Sequence, residues 1–226
     1  AKTLVKHPVV LGYYFSSTGQ SSGLRVGQLP PPAFGAEHFA GRNIPFLSAK
    51  GFGANLPELQ DAALGAGHFN PDIDMDGVVR KVPMLYQYND RYYESLALAM
   101  ARLALREKRV VAGFPEGSVA GGNYQGMEWL ELGKRRIPVD ERVRALVPYR
   151  GPQGSFRYIS ATDVLNGTAD PSVFDGRIVL VGTSAPGLQD LRSTPVQSVY
   201  PGVEIHANLI AGIIDNSIME DPAYTL

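Results

Sequence analysis

The sequence contains no cysteine. That excludes disulfides, thiolate nucleophiles and metal sites that need a thiolate. It is compatible with any redox compartment, an oxidising periplasm included. No run of about 18 apolar residues occurs, the length that a membrane-spanning helix needs. No signal-peptide pattern is visible, and the opening Ala1-Lys2-Thr3-Leu4 reads as a position inside a longer protein. Positive charge is not in excess: 21 Lys and Arg stand against 22 Asp and Glu. The densest cationic run, Lys134-Arg135-Arg136, falls in a predicted hairpin turn. Proteins that neutralise nucleic-acid phosphates carry a basic patch and a basic balance, so nucleic acid is not an expected partner. Internal repeats and low-complexity tails are missing too.

What is present suffices for a sizeable core. The 226 residues are 44% hydrophobic and 19% charged, which suits one domain or at most two. Val9–Phe15 is a short run of β-branched and aromatic residues, a predicted buried strand. Residues 16–34, with Pro30-Pro31-Pro32, read as a long loop. Asn55–Leu64 is a predicted helix with Pro57 in its first turn and Gly65 behind it. A β-meander follows: Ala66–Phe69, a turn at Asp72–Gly77, then Val78–Tyr88, which turns at Asn89-Asp90 into Arg91–Tyr93. Ser95–Leu105 is the clearest helix, apolar nearly all round and so expected to be buried.

A second hairpin, Met127–Leu132 with Arg136–Val139, crosses Gly133-Lys134, and Ala145–Tyr149 is a further strand. Ser160 to Asp163 opens a short helix that Gly167 closes. Ile178–Val181 is an unbroken apolar run, predicted as a central strand buried on both faces. Pro201-Gly202 opens a last helix over Val203–Ile214. Strands and helices alternate at both ends with hairpins between them, so the expected class is α/β: a mixed β-sheet flanked by helices, with β-hairpin insertions.

Three constellations invite a chemical reading. Asp72, Asp74, Asp76 and Gly77 spell the opening of a calcium loop, with alternate carboxylates and a glycine for the sharp turn. The twelfth position is Pro83, where a bidentate Glu belongs. A plain Asp-rich turn uses the same residues and is the preferred reading. Gly182-Thr183-Ser184-Ala185-Pro186 partly matches a nucleophile elbow, for which Asp190 and His206 complete a triad on paper. Pro186 stands where that motif needs glycine, so a serine hydrolase is the weaker alternative.

The third constellation surrounds the end of the Ile178–Val181 run. Ligands of open α/β sheets gather outside the carboxyl ends of strands. The candidate ligand-binding residues there are Ser184, Asp190 and Thr194, with Glu204, His206 and Asn208 on the first turns of the last helix. Glu204 and Asn208 share a helical face and His206 points elsewhere. Their structural reading is that Glu204 complements the helix dipole, Asn208 satisfies buried loop backbone, and His206 is a core or interface histidine. Tyr13, Tyr14, Tyr86, Tyr88, Tyr92 and Tyr93 are expected to pack the sheet. Arg80 and Lys81 are read as a solvated strand face.

Three stretches together resemble the CHASE2 family of bacterial sensor domains: Pro71 to Pro83 (PDIDMDGVVRKVP), Ser95 to Ala99 (SLALA), and Phe174 to Asp190 (FDGRIVLVGTSAPGLQD) continuing through Thr194-Pro195 and Pro201 to Asn208 (PGVEIHAN). Order and spacing match across about Pro8 to Ile214. The resemblance implies one sensor domain over residues 1–226 whose opening strand-helix-strand unit is missing from this sequence. It implies an extracytoplasmic, periplasmic location tethered to the cell membrane, with membrane segments flanking the domain in the full-length protein. The output is expected elsewhere in that protein, as an adenylate or guanylate cyclase, histidine kinase, diguanylate cyclase or serine/threonine kinase. The domain itself is expected to be no enzyme and to need no cofactor. Its partner is expected to be a small-molecule or protein signal, with a homodimer as a further possibility.

Overall fold

A computed structural model describes residues 1–17, 23–115, 126–183 and 190–220. The first four strands, β1 (Val10–Ser16), β2 (Arg25–Val26), β3 (Gly51–Gly53) and β4 (Gly65–His68), make a sheet in the order β2-β3-β1-β4. It is mixed: β1 runs antiparallel to β3 and parallel to β4. A four-residue helix, α1 (Pro57–Gln60), joins β3 to β4.

Next come β5 (Lys81–Pro83), the hairpin β6 (Leu85–Tyr88) and β7 (Arg91–Glu94), and α2 (Leu96–Ala104). A three-stranded sheet follows, of β8 (Val111–Gly113), β9 (Trp129–Leu132) and β10 (Arg135–Pro138), ordered β10-β9-β8. β11 (Arg144–Leu146) returns to pair antiparallel with β5. The chain ends through α3 (Ala161–Leu165), the hairpin β12 (Leu191–Thr194) and β13 (Gln197–Pro201), and α4 (Gly202–Asp215). The α/β class and both internal hairpins are as expected. Asn89 and Asp90 carry φ of 49° and 56°, the pair of left-handed residues that a two-residue hairpin turn demands.

α2 is the centre of the molecule. Ser95 caps it by accepting from the Leu98 N–H at 3.2 Å, and Ala97, Leu98, Ala99 and Ala101 are fully buried. β4 approaches it closely because Gly67 has no side chain: a Cβ there would lie 2.6 Å from the Leu96 nitrogen. α4 packs on α2 as well. The larger core joins Leu98 and Ala101 of α2 to Ile205, Leu209 and Ile213 of α4 and to Leu130, Leu132 and Ile137 of the three-stranded sheet. A smaller aromatic core holds Tyr13, Phe15, Tyr86, Tyr88 and Tyr93, with Phe15 stacked on Tyr86 at 5.2 Å. Tyr92 belongs to the larger core. Of the six tyrosines expected to pack the sheet, Tyr14 alone is exposed.

Three expectations fail. Ile178–Val181 is not a central strand: no β-pairing among the described residues includes it. Ile178, Val179 and Val181 are 43%, 50% and 93% exposed, and Leu180 alone packs against the core. The predicted helix over Asn55–Leu64 shrinks to α1, because Asn55 turns its amide to the Gly12 carbonyl and Leu64 gives its N–H to the Val9 carbonyl, drawing both ends into the sheet. The meander is not continuous either. β4 pairs with β1 and β5 with β11, while Met84 between β5 and β6 gives its N–H to Val143 and accepts from the Ser95 N–H.

Candidate functional site

α4 begins at Gly202, behind Pro201, which cannot supply a side-chain cap. The start is closed by Asp190 instead. Its carbonyl accepts the Gly202 N–H at 2.8 Å, and its carboxylate lies where a Cβ on Gly202 would be. Burial raises the Asp190 carboxyl pKa, against the lowering effect of Arg192 at 3.9 Å. The side chain stays 37% accessible, so the group is polar, partly desolvated and reachable from solvent. Gly182 also touches this turn: a Cβ on it would fall 2.6 Å from that of Val203.

One turn into the helix, Glu204 is 2% exposed. Its carboxylate accepts from the Gly154 N–H (3.1 and 3.2 Å), the Phe156 N–H (3.3 Å) and the Tyr158 hydroxyl (2.6 Å). Burial first, then the bond to and charge of Glu204, push the Tyr158 phenol well above its ordinary pKa. Asn208, on the same face and fully buried, donates to the Tyr200 hydroxyl and to the Glu204 carbonyl, each at 2.8 Å. It accepts from the Arg150 N–H at 2.9 Å. Thus Glu204 and Asn208 stitch residues 150–158 to α4, which satisfies buried groups that would otherwise be costly.

Of the other predicted site residues, Thr194 clasps its own hairpin: its hydroxyl donates to the Gln197 carbonyl at 2.9 Å and accepts from the Gln197 N–H at 3.2 Å. His206 lies on a different face and is buried. Burial lowers its pKa to about 4. Its Nδ1 has no hydrogen-bond partner, so the His–Asp contact of a catalytic triad is not made. Ser184 lies outside the described residues. Asp190, Glu204 and Asn208 therefore gather at the head of α4, and Thr194 and His206 do not join them.

The Asp-rich stretch is a turn closed by Gly77, whose φ is +81°. Its carboxylates are engaged by cations: Asp74 and Asp76 with Arg80 at 2.8 and 2.7 Å, Asp72 with Arg144 at 2.5 Å. The bond from Arg80 holds the Asp76 carboxyl at about 2. Among the described residues no three carboxylates or imidazoles converge as a metal site would need. Lys81 is not on a solvated face; its ammonium lies 3.0 Å from Asp140, which is 2% exposed and also bound by Arg144.

A family model described as CHASE2 domain matches residues 1–226, the whole chain. The chain belongs to the CHASE2 family. CHASE2 domains are extracellular sensory modules of signalling receptors and are not themselves catalytic. No curated protein and no solved structure matches the chain. Among the described residues, no helix is long and apolar enough to cross a membrane.

Sequence reasoning missed Tyr158, Arg150 and Tyr200, which complete the head of α4. Tyr158 is 46 residues from its partner Glu204, and no spacing rule reaches that far.

Proposed function

We propose that this CHASE2 chain is the periplasmic sensory domain of a bacterial transmembrane receptor whose output is a cyclase or a sensor kinase. The head of α4 is the place where signal and output meet. The observation that carries this reading is the double tie of α4: Glu204 and Asn208 fasten its first turns to residues 150–158, while its last turns are held by Arg135 on the Ile214 carbonyl and by Arg150 on Asp215. A helix tied at both ends transmits a displacement of one end as a rigid rod. Among the described ligand-binding candidates, Asp190 is accessible while Thr194, Glu204, His206 and Asn208 are buried. A small molecule or partner peptide that bonds Asp190 competes with its contacts to Gly202 and so acts on the helix start.

Location is tested through the missing cysteine. Met75 is fully exposed at the tip of the Asp-rich turn. In intact cells bearing the full-length receptor, Met75→Cys should add labelling by a membrane-impermeant maleimide over the unsubstituted receptor. Labelling gained only after lysis contradicts an extracytoplasmic domain.

A further inference from the structure

Residues 155–182 begin and end on the same turn of α4. At the departing end, the Gly154 and Phe156 N–H groups and the Tyr158 hydroxyl bond the Glu204 carboxylate. At the returning end, Leu180 packs against the larger core, and a Cβ on Gly182 would fall 2.6 Å from that of Val203. Between these two feet nothing is enclosed: no residue from 155 to 182 is buried. The arm is nonetheless shaped. Ser160 caps α3 by accepting from the Thr162 N–H, and Asp170 caps a single turn at Pro171–Phe174 by accepting from the Ser172 N–H. Helices in proteins are held mainly by burying an apolar face. α3 buries none: Val164 and Leu165 are 49% and 86% exposed, and Ile178, Val179 and Val181 are exposed at the returning end.

We propose that this arm is a contact between two copies of the chain, made by Val164, Leu165, Ile178, Val179 and Val181. Area and charge select a second copy. The five side chains expose roughly 300 Å² of aliphatic surface. A contact about 60% apolar that covers them buries about 500 Å² per copy, on the order of 1,000 Å² in all. Permanent partners bury about 2,000 Å² or more, whereas about 1,000 Å² is where specific, reversible association begins. Arg157 and Arg177 are interspersed along the arm with Asp163, Asp170 and Asp175. Both signs on one surface let that surface face its own copy without a block of like charge. Because the feet rest on Val203 and Glu204, pairing of two arms acts on the head of α4 in each copy.

Association is read on the 226-residue chain and needs no signalling output, so its failure is separate from failure of the receptor reading. Sedimentation equilibrium from roughly 10 μM to 1 mM should show the average mass rising from one chain toward two. Leu165→Lys/Val181→Lys sets like charges against each other across the contact and should raise the concentration of half-association at least about 30-fold. Its melting temperature, taken in dilute solution, should stay within a few degrees of the unsubstituted chain, since both positions are exposed. A chain that stays monomeric throughout, or a variant that associates as readily, overturns the proposal. Should the double variant not fold, Val181→Lys alone is compared, and unchanged association again overturns it. Maleimide labelling of Val181→Cys names the other occupant: a monomeric chain whose arm is nevertheless protected in the full-length receptor is covered by another part of that receptor, and the second copy is then wrong.

Discussion

Glu204 is an ionisable residue placed at a buried helix start, where its two oxygens collect two backbone N–H groups and one hydroxyl. Removing such an acceptor strands its donors, a cost of roughly 2–4 kcal/mol. Glu204→Ala is expected to fall in that range by urea unfolding, while Tyr158→Phe, which removes a single donor from a half-open site, costs about 1 kcal/mol. The Asp-rich turn behaves differently. Its carboxylates already face Arg80 and Arg144, so calcium or a chelator should leave the melting temperature unchanged; binding to the native state would raise it. The two buried histidines give the acid dependence its sign. Their folded pKa values, about 4 and about 3, lie below the ordinary value of 6.5. Stability is then fully present above pH 6.5 and is lost as pH falls through the range between 6.5 and those values. For His206 alone that is on the order of 3 kcal/mol. Asp76 and Asp140, whose pKa values are lowered, withdraw stability only below about pH 4. Urea midpoints taken between pH 7 and 4.5 isolate the histidines.

At the level of elements, what local pattern decides was readable and what distant pairing decides was not. α2 and α4 carry apolar faces, a serine cap in one case and Pro201-Gly202 in the other, and both run within two residues of expectation. The hairpins were announced by Asn89-Asp90 and Gly133-Lys134. Ile178–Val181 shows the limit: four apolar residues look the same to a pattern whether or not a strand waits beside them. Here Ile178, Val179 and Val181 are exposed, with only Leu180 packed inward. Val181→Lys is therefore expected to change stability by no more than about 0.5 kcal/mol, against roughly 1–3 kcal/mol for Leu180→Ala. A loss above about 3 kcal/mol for Val181→Lys would mean that this segment is enclosed. The head of α4 was half legible: Glu204 and Asn208 were named from helical spacing. Their partners Tyr158 and Arg150 come from a segment that folding alone brings near. His206 was separated from them by the same spacing.

For the whole molecule, CHASE2 membership fixes the role as sensory and leaves the mechanism to the geometry. The larger core joins Leu98 and Ala101 of α2 to Ile205, Leu209 and Ile213 of α4, and α2 packs on β1 and β4 as well. Under the proposed mechanism a change at the head of α4 is carried along the element that packs on α2. The most direct measurement is the output of the full-length receptor in membranes carrying Asp190→Asn or Glu204→Gln, alongside the melting temperature of the same variants. The expected result is a several-fold change in output with Asp190→Asn while the domain still melts within a few degrees of the unsubstituted protein. Output indifferent to both substitutions, in variants that remain folded, would contradict α4 as the signalling element.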